Sequence, residues 1–177
     1  MRAVVGLGNP GEEYAATRHN AGFLLADALV GHWQLPPFRR AERARATEGT
    51  VAGQSVRILK PTTFMNRSGG ALASLRADPA FDPARDLLIL VDDFQIPLGT
   101  FRFRTEGSAG GHNGLKSIEG ALQSQQYARL RIGVGPLPEG IGDWSEHVLN
   151  NFEPEEREQV ESLMPQMIEA AEKWLKS

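Results

Sequence analysis

The sequence predicts one α/β domain over residues 1–177, built on a mixed, twisted β-sheet that helices cover on both faces. Predicted strands alternate with predicted helices, which is the pattern of such layered folds. A length of 177 residues suits one domain. A short hairpin near residues 46–60 favours a mixed sheet over a purely parallel one.

The predicted strands are short runs rich in apolar residues. They lie at 2–8, about 46–52, about 55–60, 86–92, 99–104 and 129–135. The run 86–92 (DLLILVD) is unbroken, which is typical of a strand buried on both faces. In the run 99–104 phenylalanine alternates with arginine, so we expect one packed face and one face that presents Arg102 and Arg104.

The predicted helices follow apolar residues at helical spacing. They lie at about 20–33, about 68–77 and about 114–124, and in a C-terminal amphipathic segment from Val160 to Leu175. Pro36 ends the first of them, and Pro165 is expected to kink or split the last.

Charge is distributed unevenly along a chain whose net charge is −3. Residues 1–135 hold 16 Lys and Arg against 12 Asp and Glu, whereas residues 136–177 hold 3 against 10. Arginine supplies 15 of the 19 basic residues, and its guanidinium pairs with a phosphate through two nitrogens at once. The first 135 residues therefore point to an anionic partner, with a solvated surface as the simpler interpretation.

The composition also excludes several classes of protein. Because the chain has no cysteine, disulfide scaffolds, thiol nucleophiles and cysteine-based zinc sites are excluded. No apolar run approaches the roughly 18 residues of a membrane span, and the first apolar run is too short for a signal peptide. We therefore expect no membrane partner and a cytoplasmic location.

Residues Gly6 to Gly11 spell G-x-G-x-x-G directly after a predicted strand, as in dinucleotide-binding folds. The surrounding residues do not fit a nicotinamide or flavin site. Pro10 removes a backbone donor that would face the pyrophosphate, and Glu12 and Glu13 would place carboxylates beside it. We therefore predict no cofactor.

Polar residues gather in five places beside predicted strand ends or helix starts. They are Asn9 with Pro10, Arg18 to Asn20, Phe64 to Asn66, Asp92 with Asp93, and His112 with Asn113. Each alone is typical of a helix cap or a turn. Together they suit ester hydrolysis in one crevice, because a His can act as general base, an Asp can orient it and Asn amides can stabilise an oxyanion. The sequence has no G-x-S-x-G nucleophile motif and no histidines at metal-ligand spacing, so we predict no metal.

Five segments resemble signature stretches of the bacterial-type peptidyl-tRNA hydrolase family, in the family's order. They are VVGLGNPGEEYAATRHNAG (4–22), LKPTTFMNRSG (59–69), LVDDFQIPLG (90–99), GGHNGLKS (110–117) and RLRIGVG (129–135). The resemblance implies hydrolysis of the ester between a nascent peptide and the 3′-terminal ribose of tRNA. It also implies a monomer that uses no metal and spares unblocked aminoacyl-tRNA.

The resemblance further implies roles for individual residues. His19 is implied as general base, Asp92 as the group that orients it, and Asn9 as a residue that distinguishes N-blocked peptidyl groups. The implied contacts to the peptide or to the 3′ end of the tRNA are Tyr14, Phe64, Asn66 and Asn113. The basic residues expected to bind acceptor-stem phosphates are Arg102, Arg104, Lys116 and Arg131.

The chain departs from the family pattern in two places. Gln95 stands where the family commonly has an acidic residue, and residues 136–147, which we expect to form a loop, are acidic where many relatives carry lysines. A cluster of arginines at residues 39–45 matches no family motif. A second function stays open, that of a non-catalytic RNA-binding relative of the same fold, although the intact His19 and Asp92 favour an enzyme.

Overall fold

A computed structural model describes residues 1–140 and 142–177 of the chain. Seven strands among these residues form one sheet in the order β2-β3-β4-β1-β5-β7-β6. The strands are β1 (Arg2–Gly6), β2 (Arg39–Ala41), β3 (Ala44–Val51), β4 (Gln54–Pro61), β5 (Leu87–Pro97), β6 (Phe101–Arg104) and β7 (Ala128–Gly135). The four central strands run parallel and the three outer strands run antiparallel to their neighbours, which confirms the predicted mixed sheet.

Helices and 3₁₀ turns connect these strands. The helices are α1 (Ala21–His32), α2 (Ala73–Arg76), α3 (Pro83–Asp86), α4 (Asn113–Leu122), α5 (Trp144–Leu149) and α6 (Pro154–Lys176). The 3₁₀ segments are Glu12–Tyr14, Arg18–Asn20 and Met65–Leu72. Within the described ranges, none of the helices is both long enough and apolar enough to span a membrane.

Two apolar cores lie on the two faces of the sheet. Leu88 and Leu90 of β5 face the core under α1 and α6, and Ile89 and Val91 face the core under the 3₁₀ segment at 65–72 and α4. All four side chains are fully buried, and burial of a side chain of this size contributes about 1.5–3 kcal/mol. The first part of the strand, Leu87 to Val91, therefore needs an apolar residue at every position, which explains the unbroken run in the sequence.

Several predicted boundaries are wrong. β1 ends at Gly6 rather than at residue 8. The helix predicted at 68–77 is a 3₁₀ segment followed by α2, since Gly69 and Gly70 disfavour an α-helix there. Strand β2 was not predicted, because three exposed or half-buried residues carry no apolar pattern.

Two corrections concern the C-terminal part. Residues 136–147 were expected to be a loop, yet α5 begins at Trp144 within them, and residue 141 lies outside the described residues. Pro165 does not split the last helix, because α6 is continuous from Pro154 to Lys176. Its buried stripe, which includes Val160 and Met167, lies on both sides of the proline and holds the helix against the sheet.

Candidate active site

The cleft that holds most of the predicted site residues lies just beyond the end of β1, beside the starts of a 3₁₀ segment and of α4. Its volume is about 210 Å³. Ligands of open parallel sheets bind at this edge, because strand ends and helix starts converge there. The lining residues are Asn9, His19, Phe64, Met65, Asn66, Asn113, Trp144, Ser145, Val148 and Leu149. Four of the five predicted polar groups thus meet in one cleft, and the fifth, Asp92, contacts His19.

His19 is held in this cleft by the residues on either side of it. The guanidinium of Arg18 donates to the carbonyl oxygen of His147 over 3.0 Å and pairs with Glu156 at 2.6 Å. The 3₁₀ turn that carries His19 is thereby fixed to α5 and α6. Gly22 allows α1 to approach the strands, because a Cβ atom there would overlap the carbonyl oxygens of Leu7 and Leu90.

Two histidines bind the carboxylate of Asp92, one on each oxygen. His19 Nδ1 donates to Oδ2 over 2.8 Å, and His112 Nε2 donates to Oδ1 over 2.9 Å. The backbone N–H of Leu115 donates to His112 Nδ1 over 3.2 Å, so that His112 carries its proton on Nε2. Because an ionised carboxylate only accepts, His19 carries a proton on Nδ1, and Nε2 is the nitrogen that can accept a proton in the cleft.

Burial and charge act in opposite directions on this pair. Burial lowers the pKa of His19, but the charge of Asp92 and the hydrogen bond to it outweigh burial and raise that pKa above its ordinary value of 6.5. Burial raises the pKa of Asp92, yet His19 and His112 outweigh burial and hold that pKa well below the usual range of an aspartate. Asp92 is therefore ionised throughout the neutral range, while His19 titrates above 6.5.

Asn9 is fixed on both its side chain and its backbone. The backbone N–H of Met65 donates to Asn9 Oδ1 over 2.8 Å, which leaves Nδ2 as the donor group at the cleft. Asn20 accepts from the backbone N–H of Asn9 over 2.9 Å and donates to its carbonyl oxygen over 3.0 Å. An amide donor held in this way is suited to bind a carbonyl oxygen or a developing oxyanion.

Of the other predicted contacts, Phe64, Asn66 and Asn113 line the cleft, whereas Tyr14 does not line it and contacts Phe64. Asn66 and Asn113 are exposed there, each next to a helix or 3₁₀ start. Tyr14 and Phe64 form an edge-to-face pair with ring centroids 6.3 Å apart. Phe64 is 55% exposed, which leaves a large apolar ring open beside the polar groups.

One wall of the cleft comes from α5, which sequence reasoning missed. Asp143 begins this helix by accepting from the backbone N–H of Ser145 over 2.9 Å. Trp144 stacks on Phe94 with ring centroids 5.5 Å apart. An Asp followed three residues later by Glu146 is a helix-start pattern that would have predicted α5.

The basic residues expected at phosphates differ in their surroundings. Three of the four are exposed, namely Arg102, Arg104 and Lys116. Arg131 instead donates to the carbonyl oxygen of Ser108 over 2.9 Å and pairs with Asp93 at 3.3 Å. Its guanidinium therefore holds the loop between β6 and α4 against Asp93 of β5. Gln95 is exposed and donates its backbone N–H to Asp93, whereas the two oxygens of Asp92 are bound by His19 and His112.

Among the residues that the structure describes, His19, Asp92 and His112 form the one group whose ligand atoms lie close enough to hold a metal ion, all within 4.8 Å of one another. Sequence spacing did not reveal this group, because the three residues lie on separate loops and strands. A metal would have to displace the protons that both histidines donate to Asp92. That chemistry favours a proton-transfer site, and the absence of a metal stays a prediction.

The fold and the cleft are typical of an α/β enzyme of the hydrolase class, and the buried carboxylate of Asp92 orients the ring of His19 in that cleft. A sequence profile of the family described as Peptidyl-tRNA hydrolase matches residues 3–177. The chain therefore belongs to the peptidyl-tRNA hydrolase family, as the resemblance predicted.

Curated relatives and solved structures agree with this assignment. The chain is 45% identical to the peptidyl-tRNA hydrolase of Gemmatimonas aurantiaca, an alignment that covers 99% of this chain and 93% of the relative. It is 43% identical to that of Chloroflexus aggregans, over 97% of this chain and 91% of the relative. A crystal structure of peptidyl-tRNA hydrolase from Acinetobacter baumannii superposes with a TM-score of 0.91 at 32% identity, covering 99% of this chain and 89% of that one.

Proposed function

We propose that this chain hydrolyses the ester between the peptide and the 3′-terminal ribose of peptidyl-tRNA that has left the ribosome. Family membership supports the substrate class. The observation that carries the chemistry is the bond from His19 Nδ1 to Asp92, because it leaves His19 Nε2 as a base in the cleft.

In the proposed step, His19 Nε2 removes a proton from a water molecule. The resulting hydroxide attacks the ester carbonyl carbon, and the bond from that carbon to the ribose 3′ oxygen breaks. The imidazolium returns its proton to the 3′ oxygen, so that the products are a peptide with a free carboxyl group and tRNA with a free hydroxyl. Asp92 keeps the ring in one tautomer and stabilises the transient imidazolium.

His112 acts in this proposal as a positioning residue. It occupies the second oxygen of Asp92 and is itself held by Leu115 at the start of α4. The carboxylate therefore cannot rotate away from His19. The same loop carries Asn113, so a single helix start aligns both groups.

Substrate binding is assigned to the groups around the base. Asn9 Nδ2 is proposed to bind the peptide carbonyl and so to favour N-blocked peptidyl groups over free aminoacyl groups. Tyr14, Phe64, Asn66 and Asn113 are proposed to contact the peptide and the terminal nucleotides, and an exposed aromatic ring such as Phe64 suits base stacking.

Recognition of the tRNA body is assigned to exposed cations. Arg102, Arg104 and Lys116 are proposed to bind phosphates, which gives affinity that depends on salt and not on sequence. A cytoplasmic monomer that acts without a metal or cofactor, in one catalytic domain over residues 1–177, completes the proposal. The alternative is a non-catalytic RNA-binding relative, but such a protein has no need of the buried His19–Asp92–His112 arrangement.

The test compares hydrolysis of N-acetyl-aminoacyl-tRNA with that of the same unblocked aminoacyl-tRNA, in the presence of a chelator. We expect rapid cleavage of the blocked ester only, and loss of turnover by a factor of about 10²–10⁴ in His19→Ala, with tRNA affinity retained. His32→Ala is the matched control, because His32 is exposed at the end of α1 and should leave the rate unchanged.

Two results would contradict the proposal. Salt-sensitive tRNA binding without any cleavage would favour the RNA-binding alternative. Cleavage that disappears with the chelator and returns with a divalent metal would assign the His19–Asp92–His112 group to a metal instead.

A further inference from the structure

A second cleft adjoins the first, since Asn9 lines both. We call it the β4 cleft, because it lies where β4 ends, between Pro61 and the first two turns of α1. Its volume is about 340 Å³. Pro10, Phe23 and Leu24 give it apolar walls. The space thus continues from the catalytic cleft over the loop that carries Asn9.

Three cations cross the sheet in a row beside this cleft. Arg40 of β2 is opposite Arg45 of β3, and Arg45 is opposite Lys60 of β4, so all three side chains share one face. Arg45 and Lys60 line the cleft. Like charges directly opposite one another destabilise a sheet. The fold therefore maintains an unfavourable arrangement that an anionic ligand would relieve.

Only part of this charge is balanced within the described chain. Lys60 pairs with Asp27 of α1 at 2.7 Å, and its ammonium group lies 4.3 Å from the ring centroid of Phe38. These contacts fix Lys60 in place. For Arg40 and Arg45, no carboxylate of residues 1–140 or 142–177 lies within 4 Å. Arg45 is therefore the exposed, unbalanced cation of the cleft.

We infer that the β4 cleft binds the peptidyl part of the substrate and favours an acidic side chain there, through Arg45 with Lys60. This inference rests on the proposed function. A glutamate or aspartate suits the cleft, because its carbons pack against Phe23 and Leu24 while its carboxylate meets the guanidinium.

The sheet order favours the peptide over the RNA as the occupant. β4 and β3 lie on one side of β1, whereas β7 and β6, with exposed Arg102 and Arg104, lie on the other side of β5. The five strand steps from β3 to β6 correspond to about 24 Å. The ester at His19 joins the tRNA to the peptide, so the two extend from His19 in different directions. If the tRNA lies over β6, the peptide lies over β4.

The test uses one tRNA carrying N-acetylated alanine tetrapeptides in which a single position is Glu, Gln or Lys. The substituted position moves from the second to the fourth residue counted from the ester. For the wild-type protein we expect kcat/KM for Glu to exceed that for Gln by about three- to fivefold at one of these positions, and Lys to be the poorest. In Arg45→Glu this preference should reverse, and the variant should fold, because Glu is then opposite Lys60 and Arg40.

Arg39→Glu is the matched control, because it makes the same charge change on the neighbouring strand, opposite Ala46 on the other sheet face. It should keep the wild-type preference. N-acetyl-alanyl-tRNA, whose single residue is too short for the β4 cleft, should be hydrolysed equally by all three proteins. Equal rates for the Glu, Gln and Lys substrates in the wild-type protein would overturn the inference. A raised KM for N-acetyl-alanyl-tRNA in Arg45→Glu would also overturn it, because that result would mean that Arg45 contacts the RNA. If the wild-type protein does not hydrolyse N-acetyl-alanyl-tRNA at all, the proposed function itself has failed.

Discussion

The two sides of the catalytic cleft carry the same charge in different surroundings. On the β6 side, Arg102 and Arg104 project from an edge strand into solvent. On the β4 side, Arg45 and Lys60 line a walled cleft with aromatic and aliphatic residues. An open row of cations suits a phosphate backbone, whereas cations beside apolar walls suit a side chain with carbons and a carboxylate. The surroundings of an arginine, more than its charge, indicate its ligand.

Between the two sides lies the proposed catalytic centre, formed by His19, Asp92 and His112. Asp92→Asn should lower kcat by about 10²–10⁴ for all substrates, because an amide cannot accept from both histidines and stabilise the imidazolium. Single-turnover hydrolysis measures this. Asp93→Asn is the matched control at the adjacent residue, and we expect it to retain most of the rate. If Asp92→Asn lowered the rate only for substrates whose peptide reaches the β4 cleft, Asp92 would act in peptide binding and not in the chemical step.

His112 should rank next in the size of its effect. His112→Ala removes one donor to Asp92 and the group that caps α4, so we expect a fall in kcat of about tenfold and a lower free energy of unfolding by about 2–4 kcal/mol. His112→Asn retains a cap and should lose less stability. Denaturant unfolding measures the free energy of unfolding, and hydrolysis of N-acetyl-aminoacyl-tRNA measures kcat. Unchanged kcat in both variants would make His112 purely structural.

Changes on the β6 side should alter the salt dependence of tRNA binding and leave kcat unchanged. With both Arg102 and Arg104 replaced by Ala, KM should rise, and the slope of log affinity for tRNA against log salt should become shallower by up to about 1.4–1.8. The same double change at Arg39 and Arg40, on the opposite edge strand, should leave the slope for N-acetyl-aminoacyl-tRNA unaltered. Equal effects at both edges would mean that the RNA contacts both sides.

Gln95 provides the smallest expected effect. Gln95→Asp introduces the acidic residue that the resemblance to the family leads us to expect there, yet both oxygens of Asp92 are already bound by histidines. Because the side chain is exposed, we expect a change in kcat/KM of no more than about twofold. A tenfold gain would show that residue 95 acts on the centre through contacts made only with substrate.

Sequence reasoning predicted the features that one local rule determines. The apolar run that became β5 needed only the rule for doubly buried strands, and α1 begins at Ala21, close to the start that helical spacing predicted. The fold class and the family are confirmed. Among the site residues, the sequence could identify His19 and Asp92 as chemically suitable, and the fold brings them within 2.8 Å.

What the sequence did not predict depends on contacts between distant segments. The place of His112 on Asp92 joins residues 20 positions apart, and no spacing rule connects them. Arg131 was predicted to bind phosphate like Arg102, but only packing reveals that Asp93 and Ser108 engage its guanidinium. The row of Arg40, Arg45 and Lys60 depends on strand register across three strands, one of which had no apolar pattern.

The most direct test of the central claim, that His19 held by Asp92 is the base, is the pH dependence of kcat/KM for N-acetyl-aminoacyl-tRNA. A base must be unprotonated, so the rate should rise with pH and level off above the pKa of His19. Because Asp92 raises that pKa, the inflection should lie above 6.5 in the wild-type protein and move downward in Asp92→Asn, where burial acts without the carboxylate. A rate that does not change between pH 5 and 8, or an inflection that stays in place in Asp92→Asn, would contradict the assignment.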